Sequence, residues 1–324
     1  MKALLCKSFG PPDRLVVEDL PDPVPGDNEV VVDVSFAGLN FFDLLIIENK
    51  YQVKPPLPFS PGGEFAGRIS ALGRGVTGLS LGQRVAGFSG YGAARSKIVI
   101  GPDRIIALPD GLPDEKAAGL IVTYATSLHA LRQRAALRKG ETLAVLGASG
   151  GVGIAAVELG ALMGARVIAC ASSPEKIAFA KSLGAHEGVD YSALDLRDEL
   201  KRLTQDRGVD VIYDPVGGAF TEKALRAIAW KGRLLVVGFA AGPIPKLPLN
   251  LALLKGCDIL GVFWGDFVRR EPEAHRANMK DLMDWAQNGA LRAHIHAVYP
   301  LSEAAEALGV LARREAQGKV LLRL

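Results

Sequence analysis

Apolar and polar positions change rhythm along the chain, and each rhythm predicts a different architecture. Before Pro113, short runs rich in Val, Ile, Ala and Phe at Glu29–Ala37, Gly63–Leu72, Arg84–Gly87 and Ser96–Ile100 alternate with Gly- and Pro-rich turns. That is the texture of antiparallel strands, and one short helix is expected at Asn40–Ile47. After Pro113 an Ala-rich stretch reads as helical to Leu137. Strands at Thr142–Leu146, Arg166–Ala171, Val209–Tyr213 and Leu234–Val237 then alternate with helices at Ile154–Met163, Glu175–Leu183, Asp195–Leu203 and Thr221–Ile228. Continuous apolar strands separated by helices predict a doubly wound parallel sheet covered on both faces. Beyond Asp258 the elements mix again: a strand at Ile259–Phe263, a helix at Glu271–Gln287, a strand at His294–Tyr299, a helix at Ser302–Arg313 and a last strand at Lys319–Leu322. The predicted division is a mostly antiparallel β-domain over residues 1–122, an α/β domain over 123–257, and a segment 258–324 that returns to complete the first.

The junction between the first parallel strand and its helix carries Gly147, Gly150, Gly151 and Gly153, with Val152 among them. Glycines there allow a tight turn and close backbone approach to a pyrophosphate, while free N–H groups at the helix start face the anion. The spacing is G-x-x-G-x-x-G rather than the commoner G-x-G-x-x-G, so the surrounding strand, helix and second strand carry the assignment. At the end of the second strand an acidic residue would hold a ribose 2′-hydroxyl. Ala171, Ser172 and Ser173 stand there instead, with Lys176 one turn later. Two hydroxyls and an ammonium suit a 2′-phosphate, which points to NADP(H) over NAD(H). Ser173 can also cap the helix that Pro174 opens.

Composition adds limits rather than chemistry. The 324 residues suggest about two domains. Their 38 basic and 35 acidic side chains, net +3, are scattered along the chain. Nothing in that distribution marks a nucleic-acid surface. No cationic start followed by a long apolar run argues for export or membrane spanning, so a cytoplasmic protein is expected. Cys6, Cys170 and Cys257 are widely spaced in apolar contexts and read as buried free thiols.

Several runs in fixed order carry a resemblance: Ala37-Gly38-Leu39-Asn40-Phe41-Phe42-Asp43, then Tyr51, Pro58-Phe59-Ser60-Pro61-Gly62-Gly63-Glu64, Gly150-Gly151-Val152-Gly153 and Gln317-Gly318-Lys319-Val320. Over essentially its whole length the chain resembles the medium-chain dehydrogenase/reductase superfamily, in the zinc-free quinone oxidoreductase branch that includes zeta-crystallin. The resemblance implies a GroES-like catalytic domain beside the Rossmann domain. Zinc relatives place Cys and His ligands around a metal, but Asn40 stands near the first Cys position and Gly63 precedes Glu64 where a His would fall. Five scattered histidines do not supply a converging set, so no metal is expected.

Without a Lewis acid the acceptor must take hydride readily, as quinones and α,β-unsaturated carbonyls do. The resemblance implies Tyr51 as proton donor or enolate stabiliser and Asn40 near the nicotinamide ribose or the substrate. It implies cofactor contacts from Thr126, Ser172, Lys176, Tyr191, Gly238, Phe239, Ala240, Val262, Phe263, Trp264 and Arg314, and a homodimer paired through Gly256–Trp264. Asp43, one helical turn from Asn40, reads as a structural partner. Two other readings stay open: an enoyl-thioester reductase of the acrylyl- or crotonyl-CoA type, and an NADPH-binding structural protein without turnover.

Overall fold

The Val-, Ile- and Ala-rich runs at the start of the chain do pair as antiparallel strands. In the computed structural model, which describes residues 1–324, β1 (Lys2–Leu5) pairs with β2 (Val16–Asp19). The strands β3 (Val30–Leu39), β4 (Glu64–Leu72), β5 (Arg84–Phe88), β6 (Lys97–Ile100) and β7 (Ile105–Ala107) build most of a seven-stranded sheet, with β6 paired to β3 beside it. The helix α1 (Phe41–Ile47) follows β3 as expected. Alternate side chains of these strands meet in one core that includes Val30, Val32, Phe65, Ile69 and Val85. Each such aliphatic or aromatic side chain contributes roughly 1.5–3 kcal/mol by leaving water.

The Ala-rich stretch forms α2 (Asp114–His129), prolonged by a π-helical turn at Ala130–Arg134. Then come β8 (Thr142–Leu146), α3 (Gly151–Leu162), β9 (Arg166–Ala171), α4 (Pro174–Ser182), β10 (Glu187–Asp190), α5 (Leu196–Leu203), β11 (Val209–Asp214), α6 (Ala219–Arg226), β12 (Ile228–Val236), α7 (Asn250–Lys255), β13 (Asp258–Gly261), α8 (Trp264–Arg270) and α9 (Pro272–Gln287). The six strands are all parallel, in the order β10-β9-β8-β11-β12-β13. The order turns back between β8 and β11, and in such sheets the crevice at the carboxyl ends of those two strands takes ligands. Finally β14 (Ile295–Pro300), α10 (Ala304–Ala312) and β15 (Lys319–Arg323) return to the first sheet, where β15 pairs antiparallel with β3.

By packing, the chain divides into Met1–Val122 with Met283–Gly289 and Ala293–Leu324, and Thr123–Leu282 with Ala290–Arg292. The expected return at residue 258 therefore comes too early. β13 satisfies its backbone by pairing with β12, from Arg233 with Asp258 to Val236 with Gly261, which makes it the sixth parallel strand. The strand also stops before Phe263: Val262 N–H makes the last bond of the ladder, to Val236 O, and Trp264 starts a helix. The helix expected to Ile228 ends at Arg226, and Ile228 opens β12. All three cysteines are buried free thiols.

Candidate active site

In the parallel-sheet unit the glycine junction is built as a cradle. Gly147 turns the chain with φ +59°. A Cβ on Gly153 would sit 2.1 Å from Gly147 O, so the first turn of α3 closes directly on the loop backbone. Gly150 is different: its φ is −75°, and the nearest atom to an added Cβ is Gly147 O at 3.5 Å. Nothing in the protein demands glycine there; the space at the helix start is what a pyrophosphate would use. The cradle therefore fits a dinucleotide.

The residues that the sequence nominated in this unit lie at one edge, the carboxyl ends of the strands. Ser172 and Ser173 follow β9, Tyr191 follows β10, Gly238, Phe239 and Ala240 follow β12, and Val262, Phe263 and Trp264 follow β13. Neighbouring loops are tied together: Ala148 N–H donates to Cys170 O, Tyr191 N–H to Ala171 O, and Ala240 N–H to Pro215 O. The loop after β11, which begins with Pro215, is wound around Asp214. Its Oδ1 accepts from Val216 and Gly217 N–H at 2.9 and 2.8 Å, and its Oδ2 from Thr221 Oγ1 at 2.6 Å. Thr126 is half-buried on α2, and its neighbour Ser127 hydrogen-bonds Val152 O at 3.1 Å and Tyr213 at 2.9 Å. Of the three apolar residues after β13, Val262 and Trp264 are core and only Phe263 is exposed.

At the end of β9, Lys176 Nζ reaches Ser172 Oγ at 3.2 Å, and Ser173 Oγ caps α4 by accepting Lys176 N–H at 3.4 Å. Ser192 Oγ donates to Ser172 O at 3.1 Å, fixing the same turn from the next loop. Glu175 shares this helix start, and the Ser173 hydroxyl holds its carboxyl below the usual range. Tyr191 packs on Phe220, with ring centroids 4.4 Å apart.

The other unit holds a separate polar cluster. Asn40 stands at the start of α1, and the charged partners of its side chain lie on other elements. Its Nδ2 donates to Glu64 Oε1 at 2.8 Å, and its Oδ1 accepts from Lys319 Nζ at 2.6 Å. Lys319 Nζ also pairs with Glu64 Oε1, and Glu64 Oε2 accepts Val122 N–H at 2.7 Å. All three side chains are buried, Glu64 completely. Asp43 lies beside them, accepting Asn40 N–H at 2.8 Å and Gly62 N–H at 3.0 Å. Burial pushes its carboxyl up to about 7 against the pull of those two donors. Tyr51 stacks on Phe42 at 5.6 Å; burial, then the nearby Asp43, raises its phenol, which keeps the proton in place at neutral pH. Arg314 is exposed after α10, with φ +60°.

Residues 26–110 match the alcohol dehydrogenase GroES-like domain and residues 151–288 the zinc-binding dehydrogenase family. Mouse (Mus musculus) quinone oxidoreductase-like protein 2 is 37% identical over 324 residues, 100% of this chain and 92% of that protein. Quinone oxidoreductase of Pseudomonas aeruginosa is 33% identical over 99% of both chains. The chain belongs to the quinone oxidoreductase branch of the medium-chain dehydrogenase/reductase superfamily. The Escherichia coli quinone oxidoreductase solved in complex with NADPH superposes with a TM-score of 0.94 at 27% identity, covering 100% of each chain.

Residues 151–288 match a family described as zinc-binding, so the donor set bears on whether a metal fits. No three His, Cys, Asp or Glu side chains are grouped to hold one. Asn40 and Gly63 stand where zinc relatives have a Cys and a His, and the neighbouring Glu64 is paired with the Lys319 ammonium. This oxidoreductase-branch chain therefore does not fit zinc at those positions. Lys319 and Glu64 are also the site residues that sequence reasoning left unassigned, although both lie in the runs that carried the resemblance. No helix is long and apolar enough to cross a membrane.

Proposed function

We propose that the chain is a zinc-independent, NADPH-dependent reductase that delivers hydride to a quinone or to the β-carbon of an α,β-unsaturated carbonyl. The observation that supports this reading is the conjunction of a dinucleotide cradle with a Ser172–Lys176 pair at the end of β9 and the Lys319 ammonium against Glu64. When bound, the dinucleotide supplies the hydride. The glycine turn and the start of α3 hold its pyrophosphate; Ser172, Ser173 and Lys176 hold the 2′-phosphate; Tyr191 and Phe220 wall the adenine. Asn40 donates to the acceptor's oxygen as it gains charge, and Tyr51 delivers the proton that completes the reduction. Gly238–Ala240, Thr126, Phe263 and Arg314 are proposed as further cofactor contacts, whereas Val262 and Trp264 support them from the core.

We further propose a homodimer through the β13 edge. Support comes from that strand's exposed backbone edge and from Trp230, Leu253, Leu254 and Ile259, all exposed apolar side chains on β12, α7 and β13. An uncovered edge of this kind invites pairing.

A steady-state panel tests the reading: NADPH and NADH oxidation with quinones, small enones and enoyl-CoA esters, with and without chelator. The expected result is chelator-resistant NADPH oxidation by quinones or enones. Turnover confined to enoyl-CoA esters would select the thioester reductase, and NADPH binding without any turnover would select the structural protein.

A further inference from the structure

An asparagine at the start of a helix ordinarily spends its side chain on the helix N–H groups, a contribution of about 1 kcal/mol. At Asn40 the Asp43 N–H bonds to the backbone carbonyl at 3.1 Å, and the carboxamide has two charged partners of its own. Its carboxamide is held between two charges. Lys319 has only donors and takes Oδ1; the Glu64 carboxylate has only acceptors and takes Nδ2. A flipped amide would set N–H against ammonium and oxygen against carboxylate, so one orientation remains. That orientation leaves a second Nδ2–H, and the cation on Oδ1 draws density from the nitrogen and strengthens this hydrogen as a donor.

We propose that Lys319 and Glu64 are positioning residues that clamp the Asn40 carboxamide, making its remaining Nδ2–H a fixed donor to the acceptor oxygen that becomes negative as hydride arrives. This rests on the reductase reading above and assigns the buried ion pair a task in it. The acceptor class follows: a conjugated carbonyl whose oxygen gathers charge remote from the carbon that takes the hydride. No bond is made or broken at Lys319 or Glu64.

The test compares Asn40→Ala, Lys319→Arg and the double variant Glu64→Gln/Lys319→Met, which removes both charges and strands neither. Folding is checked by thermal melting and by NADPH fluorescence titration. The double variant and Asn40→Ala should each lose kcat on the order of 10- to 100-fold, with KM for NADPH within about threefold. Lys319→Arg, which keeps a cation on the amide oxygen, should keep most of kcat. If the double variant holds wild-type kcat while Asn40→Ala loses it, the clamp is refuted and the reductase reading stands. If Asn40→Ala holds wild-type kcat, the donor assignment and the clamp both go. If the wild type turns over nothing in the panel, the reductase reading itself falls and takes the clamp's catalytic purpose with it. Should the double variant not fold, ¹⁵N exchange on the wild type decides. One Asn40 side-chain proton protected by Glu64 supports the clamp, and two freely exchanging protons refute it.

Discussion

Replacing Lys176 by alanine should collapse the preference for NADPH over NADH. Lys176 is half-buried one turn into α4, with Nζ 3.2 Å from Ser172 Oγ at the end of β9. A unit charge pair at about 4 Å is worth about 1 kcal/mol in bulk water and about 4 kcal/mol at an effective dielectric of 20. A 2′-phosphate carries roughly −1.5 to −2 charges, but the site faces solvent, so about 2 kcal/mol is the reasonable magnitude, or about 30-fold in selectivity. Glu175 works in the opposite sense from the same helix start, so Glu175→Gln should raise the preference. The assay is kcat/KM for NADPH and for NADH with one acceptor, at low and high salt, since added salt screens an exposed pair. A Lys176→Ala enzyme with an unchanged NADPH/NADH ratio, or with equal losses for both cofactors, would refute the reasoning.

Three further outcomes are expected. Gly153→Ala places Cβ 2.1 Å from a backbone oxygen that cannot swing away, so it should lower Tm and NADPH affinity together. Gly150→Ala, with its Cβ clear to 3.5 Å, should melt like the wild type and lose affinity alone. Asp43, raised to about 7 in the fold, takes up a proton on folding between the ordinary carboxylate range and that value. Its contribution is present in full below about pH 4 and lost as pH rises through 7, about 4 kcal/mol in all; denaturant unfolding from pH 5 to 8 should show that decline in the wild type and not in Asp43→Asn, and superimposed profiles would contradict it. Ile259→Lys should convert a dimer to monomer by light scattering, and an unchanged mass would remove the β13 edge as the interface.

The parallel sheet was legible because strands buried on both faces must be apolar throughout, as β8 is from Leu143 to Leu146. Its glycine cradle was legible because close backbone approach admits no other residue at Gly153. β10 was not, since four residues containing Gly188 carry little strand signal; that glycine is needed because a Cβ would meet Ile177 Cγ2 at 2.1 Å. Assigning β13 to the first domain failed for a related reason: an exposed, four-residue edge strand has no pattern that names its partner. Apolar character alone also could not separate Phe263 from buried Val262 and Trp264. The clamp lay furthest out of reach. Lys319 meets Asn40 across 279 positions and Glu64 across 255, and a lysine that opens a terminal strand carries no local signal of the two partners the fold brings to it.

The central claim, hydride delivery from NADPH to a conjugated acceptor without a metal, is tested most directly by isotope transfer. Metal-depleted enzyme is given NADPH deuterated at C4 on each face in turn, with a small enone, and the product is read by NMR. The account predicts one deuterium at the β-carbon from one face only, at the rate of untreated enzyme. Deuterium absent from that carbon, or turnover that returns only when metal is restored, would contradict it.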